Sequence, residues 1–169
     1  QKYLGGSCVN FGCTPTKAMV ASAKAAYTAK HGSEYGVLGG EAVRVDLKQV
    51  KARKDAIVAK SRGGLGSWIG GMEGCTLIHG SARFEAANRL RVGGDVLLTK
   101  HVFLNVGARP RIPTFPGVDR VSFLTSSTIL DLDALPKHLV VVGGSYVGLE
   151  FAQMFRRFGS EVTVVERNS

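Results

Sequence analysis

The sequence predicts an α/β fold built around a parallel sheet, and two stretches carry that expectation. Residues 138–166, "HLVVVGGSYVGLEFAQMFRRFGSEVTVVE", run from an apolar strand through a glycine turn into a helix, a glycine stop and a second strand. This is half of a βαβ unit, and the unbroken apolar run of its first strand predicts burial on both faces. Upstream, helical and β-like segments alternate between turn signals, with 22 glycines to supply the turns.

The elements follow in order. Residues 15–30 are alanine-rich with no internal Gly or Pro. Thr14 is placed to cap that helix and Pro15 suits its first position. A second helix is expected from Asp46 to Ser61, broken by the five glycines of "RGGLGSWIGG". The runs "TLIHGSARF", "RLRV" and "DVLLTKHVFLNVG" read as strands separated by turns at Asn88 and Gly93-Gly94. "GARPRIPTFPG" holds three of the five prolines and predicts an irregular connection.

Bulk properties narrow the function classes. No apolar run approaches the roughly 20 residues that span a bilayer, and no leader-like start is present. Gln1 in place of methionine, and a close on "VVERNS" just after an apolar strand, predict a piece of a longer protein. The net charge is +9, densest in "KQVKARKDAIVAKSR". There the basic residues alternate with Val50, Ile57 and Val58 at helical spacing, which predicts a solvated helix face and not a nucleic-acid surface. Three cysteines without a secretory signal predict a reducing, cytoplasmic setting, where a close pair serves catalysis or metal binding.

That close pair is Cys8 and Cys13 in "GGSCVNFGCTPTK". An extended strand would hold them roughly 16 Å apart, past the about 7 Å between Cα atoms that a disulfide spans. A regular helix would turn them to different faces, so "VNFG" is expected to coil irregularly. The helix starting near Pro15 would favour thiolate at Cys13. Two alternatives stay open on the residues alone: two unrelated thiols, or a zinc site completed by Cys75 and His79. Cys75 by itself reads as a small core residue.

"GGSCVNFGCTPTK" resembles the redox signature GGxCxNxGCxPxK of the flavin-dependent pyridine nucleotide-disulfide oxidoreductases, with every fixed position filled. "GSARF", "NVGARPRIPTFPG" and "GGSYVGLEFAQ" follow in the family's order, and the wording is closest to the mercuric reductase-like branch. The resemblance implies a pair of FAD/NAD(P)-binding, Rossmann-like three-layer domains: residues 1–120 the C-terminal portion of an FAD domain, and 121–169 the start of an NAD(P) domain. It implies an enzyme that passes electrons from NAD(P)H through FAD to a Cys8–Cys13 disulfide and on to a small-molecule or metal-ion substrate. Dihydrolipoamide dehydrogenase and glutathione reductase types are the alternatives within the family. Cys8 would be the thiol that attacks substrate and Cys13 the thiol beside the flavin. Lys17, Gly80 and Gly107 would approach FAD, although Asn105-Val106-Gly107 replaces the usual Ala-Thr-Gly. Glu150 would pair with a buried Lys17, and Tyr146 would stand as a lid by the flavin. A homodimer formed through a domain outside this chain is implied, with no nucleic-acid or membrane partner.

"GGSYVG", residues 143–148, is an imperfect G-x-G-x-x-G because Ser145 fills the second glycine position. Its strand–turn–helix context makes it a pyrophosphate site, with Gly143 for the turn, Gly148 for close packing and amides of Gly144, Ser145, Tyr146 and Val147 around the phosphates. Glu166 stands 23 residues after Gly143, near the distance at which an acid meets the NAD ribose. Arg167 beside it would suit the 2′-phosphate of NADP. Neighbours on a strand point to opposite faces; with Glu166 facing the ribose, a moderate preference for NADH is expected. The rival of another class is a zinc-stabilised nucleotide-binding module.

Overall fold

The computed structural model describes residues 3–167. Four helices, α1 (Gly6–Phe11), α2 (Cys13–Lys30), α3 (Leu47–Gly70) and α4 (Tyr146–Phe158), combine with five strands in an α/β arrangement. β1 (Ala82–Ala86), β2 (Arg89–Val92) and β3 (Asp95–Leu98) form an antiparallel meander whose turns are the predicted ones. β4 (His138–Val142) and β5 (Glu161–Val165) pair in parallel, from His138 opposite Glu161 to Val142 opposite Val165, with α4 as the crossover.

α4 sits where it does because Phe151, Met154, Phe155 and Phe158 recur at helical spacing and all four are buried. They meet Met19 and Ala23 of α2, Leu47 of α3, and Ile129 and Leu130 of a short 3₁₀ turn in one core. Each large side chain so buried contributes about 1.5–3 kcal/mol. α2 and α4 are thereby fastened together although over 100 residues separate them in sequence. Among the described residues no helix is long and apolar enough to cross a membrane.

Several expectations need correcting. α3 does not stop at Ser61; it continues through Gly63, Gly64 and Gly66 to Gly70. Tertiary packing overrides the glycine penalty: Arg62 and Leu65 on that last stretch lie against the segment carrying Cys8. Lys54, assigned to a solvated face, is 4% exposed, its ammonium 2.6 Å from Asp55 and 3.9 Å from Asp131. β4 is not buried on both faces: Val140 and Val142 are more than half exposed, because α4 covers one side only. The β-like runs of residues 76–81 and 99–107 stay outside the strands; among the described residues no strand pairs with them to take up their backbone groups.

Asp46 marks the start of α3 by capping it. Its carboxylate accepts from the Gln49 backbone N–H at 3.2 Å and the Gln49 side chain at 3.0 Å. The backbone bond is the main reason its carboxyl titrates below the ordinary value. A folded-state pKa below the unfolded one stabilises above the unfolded pKa and loses that benefit as pH falls through the folded value. Asp46→Ala is expected to lower Tm by about 2–4 °C near neutral pH. The gap should close in acid; thermal melts showing an equal gap at both pH values would refute the cap.

Candidate functional site

The two cysteines meet across a break between helices. "VNF" does not coil, contrary to expectation: residues 6–11 form α1, and the irregularity is confined to Gly12, at φ −125° and ψ −112°. A Cβ on Gly12 would come within 3.2 Å of the Ser7 carbonyl oxygen. Cys8 therefore rides on α1 while Cys13 opens α2. Thr14 lies inside α2 and does not cap it.

Both cysteines are exposed free thiols. The Cys8 thiol is pushed above its ordinary value of 9.0, first by its hydrogen bond with the Cys13 side chain, then by burial and by the charge of Cys13. The backbone N–H groups of Cys13 and Thr14 act in the opposite direction. The positive start of α2, expected to act on Cys13, thus reaches across the break to Cys8.

One turn further along α2, Lys17 donates to the Glu150 carboxylate on α4, the partnership expected between them. The lysine is not buried: its side chain is 68% exposed, and the carboxylate is the more shielded partner at 26%. This ion pair ties the cysteine helix to the helix that leaves the glycine turn.

That turn is built by backbone contact. Gly143 adopts φ +108°, and its N–H donates to the Val165 carbonyl at 2.8 Å, closing β4 on β5. A Cβ on Gly148 would lie 2.2 Å from the Gly143 carbonyl oxygen, so only glycine fits there. Ser145 is the N-cap residue, but its hydroxyl makes no capping bond. Its carbonyl accepts the first helical bond, from Leu149 at 2.9 Å. The amides of Tyr146, Val147 and Gly148 stand ahead of that bond, where a helix leaves its donors without intrahelical acceptors. Tyr146 is 84% exposed. The Glu166 carboxylate reaches back to the turn, accepting from Gly144 N–H and Arg167 N–H, each at 2.6 Å. A turn that excludes Cβ atoms, with unspent amides and a carboxylate at its rim, fits a dinucleotide.

Gly80 has Val92 as its nearest neighbour, 2.6 Å from where a Cβ would be, so β2 packing already demands glycine there. Gly107 takes a left-handed φ of +79°. The tetrad Cys8, Cys13, Cys75 and His79 is not assembled: among the described residues no three His, Cys, Asp or Glu side chains gather as a metal site. Cys75 is exposed and not a core residue. Sequence reasoning missed Arg62, whose Nε donates to the Asn10 side chain inside the cysteine segment. Nothing in the local pattern signals a contact across 52 positions.

A close pair of thiols at a helix break is thus tied by one ion pair to the helix that leaves the glycine turn. The pattern described as "Pyridine nucleotide-disulphide oxidoreductase" matches residues 2–169, and the chain belongs to that family. It is 36% identical over 169 residues to a mercuric reductase of Streptomyces lividans, covering 97% of this chain and 36% of that protein. It is 34% identical over 170 residues to a dihydrolipoyl dehydrogenase of Acholeplasma laidlawii, covering 98% of this chain and 50% of that one. Among solved structures it resembles the Cu(II) complex of the HOCl-induced flavoprotein disulfide reductase RclA from Escherichia coli. There the TM-score is 0.80 at 32% identity, over 99% of this chain and 34% of that chain. The chain thus spans between about a third and a half of these relatives' length.

Proposed function

We propose that this chain belongs to a flavoprotein that takes electrons from NAD(P)H and delivers them through Cys8 and Cys13 to a soft metal ion, most like mercuric reductase. The observation that carries the reading is the exposed Cys8–Cys13 pair across the α1–α2 break, with α2 tied through Lys17 to Glu150 on the helix that leaves the glycine turn. Mercuric reductases and a Cu(II)-bound reductase among the similar proteins favour a metal-ion substrate, which two thiolates suit. Dihydrolipoyl dehydrogenases match at nearly the same identity, so a small cyclic disulfide such as lipoamide, reduced to its dithiol, is the second reading.

In this reading FAD, when bound, supplies the two-electron chemistry between nicotinamide and dithiol. Lys17, Gly80 and Gly107 approach it. Cys8 is the thiol that meets substrate, and Cys13 stays on the flavin side. The amides of Ser145, Tyr146 and Val147 hold the pyrophosphate, which Gly143 and Gly148 allow to come close, while the Gly144 N–H is taken by Glu166. Residues 1–120 belong to the FAD domain and residues 121–169 to the NAD(P) domain. The protein is a cytoplasmic homodimer that binds neither nucleic acid nor membrane. The test is steady-state turnover of the full-length, FAD-loaded protein with mercuric ion, Cu(II), lipoamide and glutathione disulfide under NADH. Failure of both metal ions alongside efficient lipoamide turnover would give the second reading.

NADH is the preferred donor because Glu166 already points to the turn. A carboxylate there accepts from the ribose 2′-hydroxyl and repels a 2′-phosphate. Glu166→Ala is expected to lower kcat/KM for NADH about tenfold and to narrow the gap to NADPH. A wild-type enzyme strongly favouring NADPH would show that Arg167 reads the cofactor instead.

A further inference from the structure

We infer that Arg62, outside the cysteine motif, is a positioning residue that sets how readily Cys8 and Cys13 close on each other; this rests on the dithiol reading above. Cys13 stands on α2, which the core holds through Met19 and Ala23. Cys8 stands on α1, six residues long and joined to α2 through the break at Gly12. A helix that short has no stability of its own. The relation of the two sulfurs therefore depends on what seats α1.

The seat is a polar clamp. The Asn10 side chain is buried and donates to the carbonyls of Leu4 at 2.8 Å and Gly6 at 2.7 Å, pinning the entry turn to the body of α1. Both amide hydrogens are then used, and the Asn10 side-chain oxygen accepts from Arg62 Nε. The Arg62 guanidinium also lies over the Tyr3 ring, 4.0 Å from its centroid. One α3 side chain thus grips the residues leading into α1 and the residue between the two cysteines. Leu65, three positions on, lies 2.8 Å from where a Cβ on Gly5 would stand, so α1 has little room to be reseated on α3. Arg53 offers a control on the same helix. It donates to the Ala18 carbonyl at 2.8 Å and the Ser22 hydroxyl at 3.3 Å, holding α3 to α2 without reaching α1.

The test is thiol–disulfide exchange on the full-length protein in anaerobic glutathione buffers. Cys8 and Cys13 thiols react with one glutathione disulfide to give the protein disulfide and two glutathiones, two electrons passing to the glutathione sulfurs. Alkylation followed by mass spectrometry reads the fraction closed, and the pH profile of Cys8 alkylation gives a second readout. Arg62→Met, which keeps the aliphatic stem, is expected to lower the closure constant about tenfold and to displace the Cys8 profile. Arg62→Lys should recover part of the loss, and Arg53→Met should stay within about twofold of wild type. An unchanged constant in Arg62→Met, or an equal fall in Arg53→Met, overturns the inference. Should Arg62→Met fail to fold, Asn10→Asp decides: it removes both donations to Leu4 and Gly6 and is expected to fall about tenfold as well, and no change there overturns the clamp. A wild-type protein that never closes Cys8 on Cys13 would instead sink the dithiol reading.

Discussion

Cys13→Ala in the full-length protein is expected to lower turnover about a thousandfold or more, the scale of losing one member of a group that acts as a unit. Cys8→Ala should cost about as much, and the double variant little more, because neither sulfur serves without the other. The variants separate by their residual thiol. In wild type, the hydrogen bond with Cys13 is the largest influence raising the Cys8 thiol, and burial and the charge of Cys13 act the same way. Cys13→Ala removes the first and third of these and leaves the lowering amides of residue 13 and Thr14 in place. The alkylation profile of Cys8 is therefore expected to move to lower pH. Iodoacetamide rates measured across pH in the single variant check this; a profile that stays put or moves upward would mean the two sulfurs do not interact. Full turnover in either single variant would show that the pair is not the route to substrate.

The parts of the fold most legible in the sequence are those fixed by local rules. Strand, glycine turn and helix at residues 138–158 follow from an apolar run, a glycine at positive φ and an i, i+3, i+4 stripe of Phe151, Met154 and Phe155. The two-glycine hairpin turn at Gly93-Gly94 is equally local. What escaped were features decided by distant contacts. Five glycines in ten residues read as a helix end, yet α3 runs through most of them because α1 packs there. Lys54 reads as solvated until Asp131, 77 positions away, is brought beside it. The Lys17–Glu150 pair is legible through the family resemblance and not through local chemistry, since 133 positions separate the partners. The exposed strands show the same limit from the other side: Val140 and Val142 have the composition of a core strand, but among the described residues nothing covers one face of it.

Gly148→Ala is expected to be among the most damaging single-methyl changes in the chain, while the same change at Gly63 should help. At Gly148 the new carbon would lie 2.2 Å from the Gly143 carbonyl oxygen, 3.3 Å from the Gly143 carbonyl carbon and 3.3 Å from a Val141 methyl. The close atoms are backbone, so relief requires α4 to back away from β4 or the turn to reopen. Overpacking of this kind costs about 1–3 kcal/mol. Moving α4 also displaces the amides of Tyr146, Val147 and Gly148 that would face the pyrophosphate. NADH affinity should fall about tenfold or more, by calorimetry or fluorescence titration of the full-length protein. Gly63 sits inside α3 at an ordinary φ with nothing within 4 Å of a Cβ. There Ala removes unfolded-state freedom without a clash, and a gain of about 0.5–1 kcal/mol is expected with NADH affinity unchanged. Denaturant melts of the two variants beside wild type check the opposite signs. A Gly148→Ala protein with wild-type stability and NADH affinity would mean that the turn does not press on α4 and that its amides do not hold the cofactor.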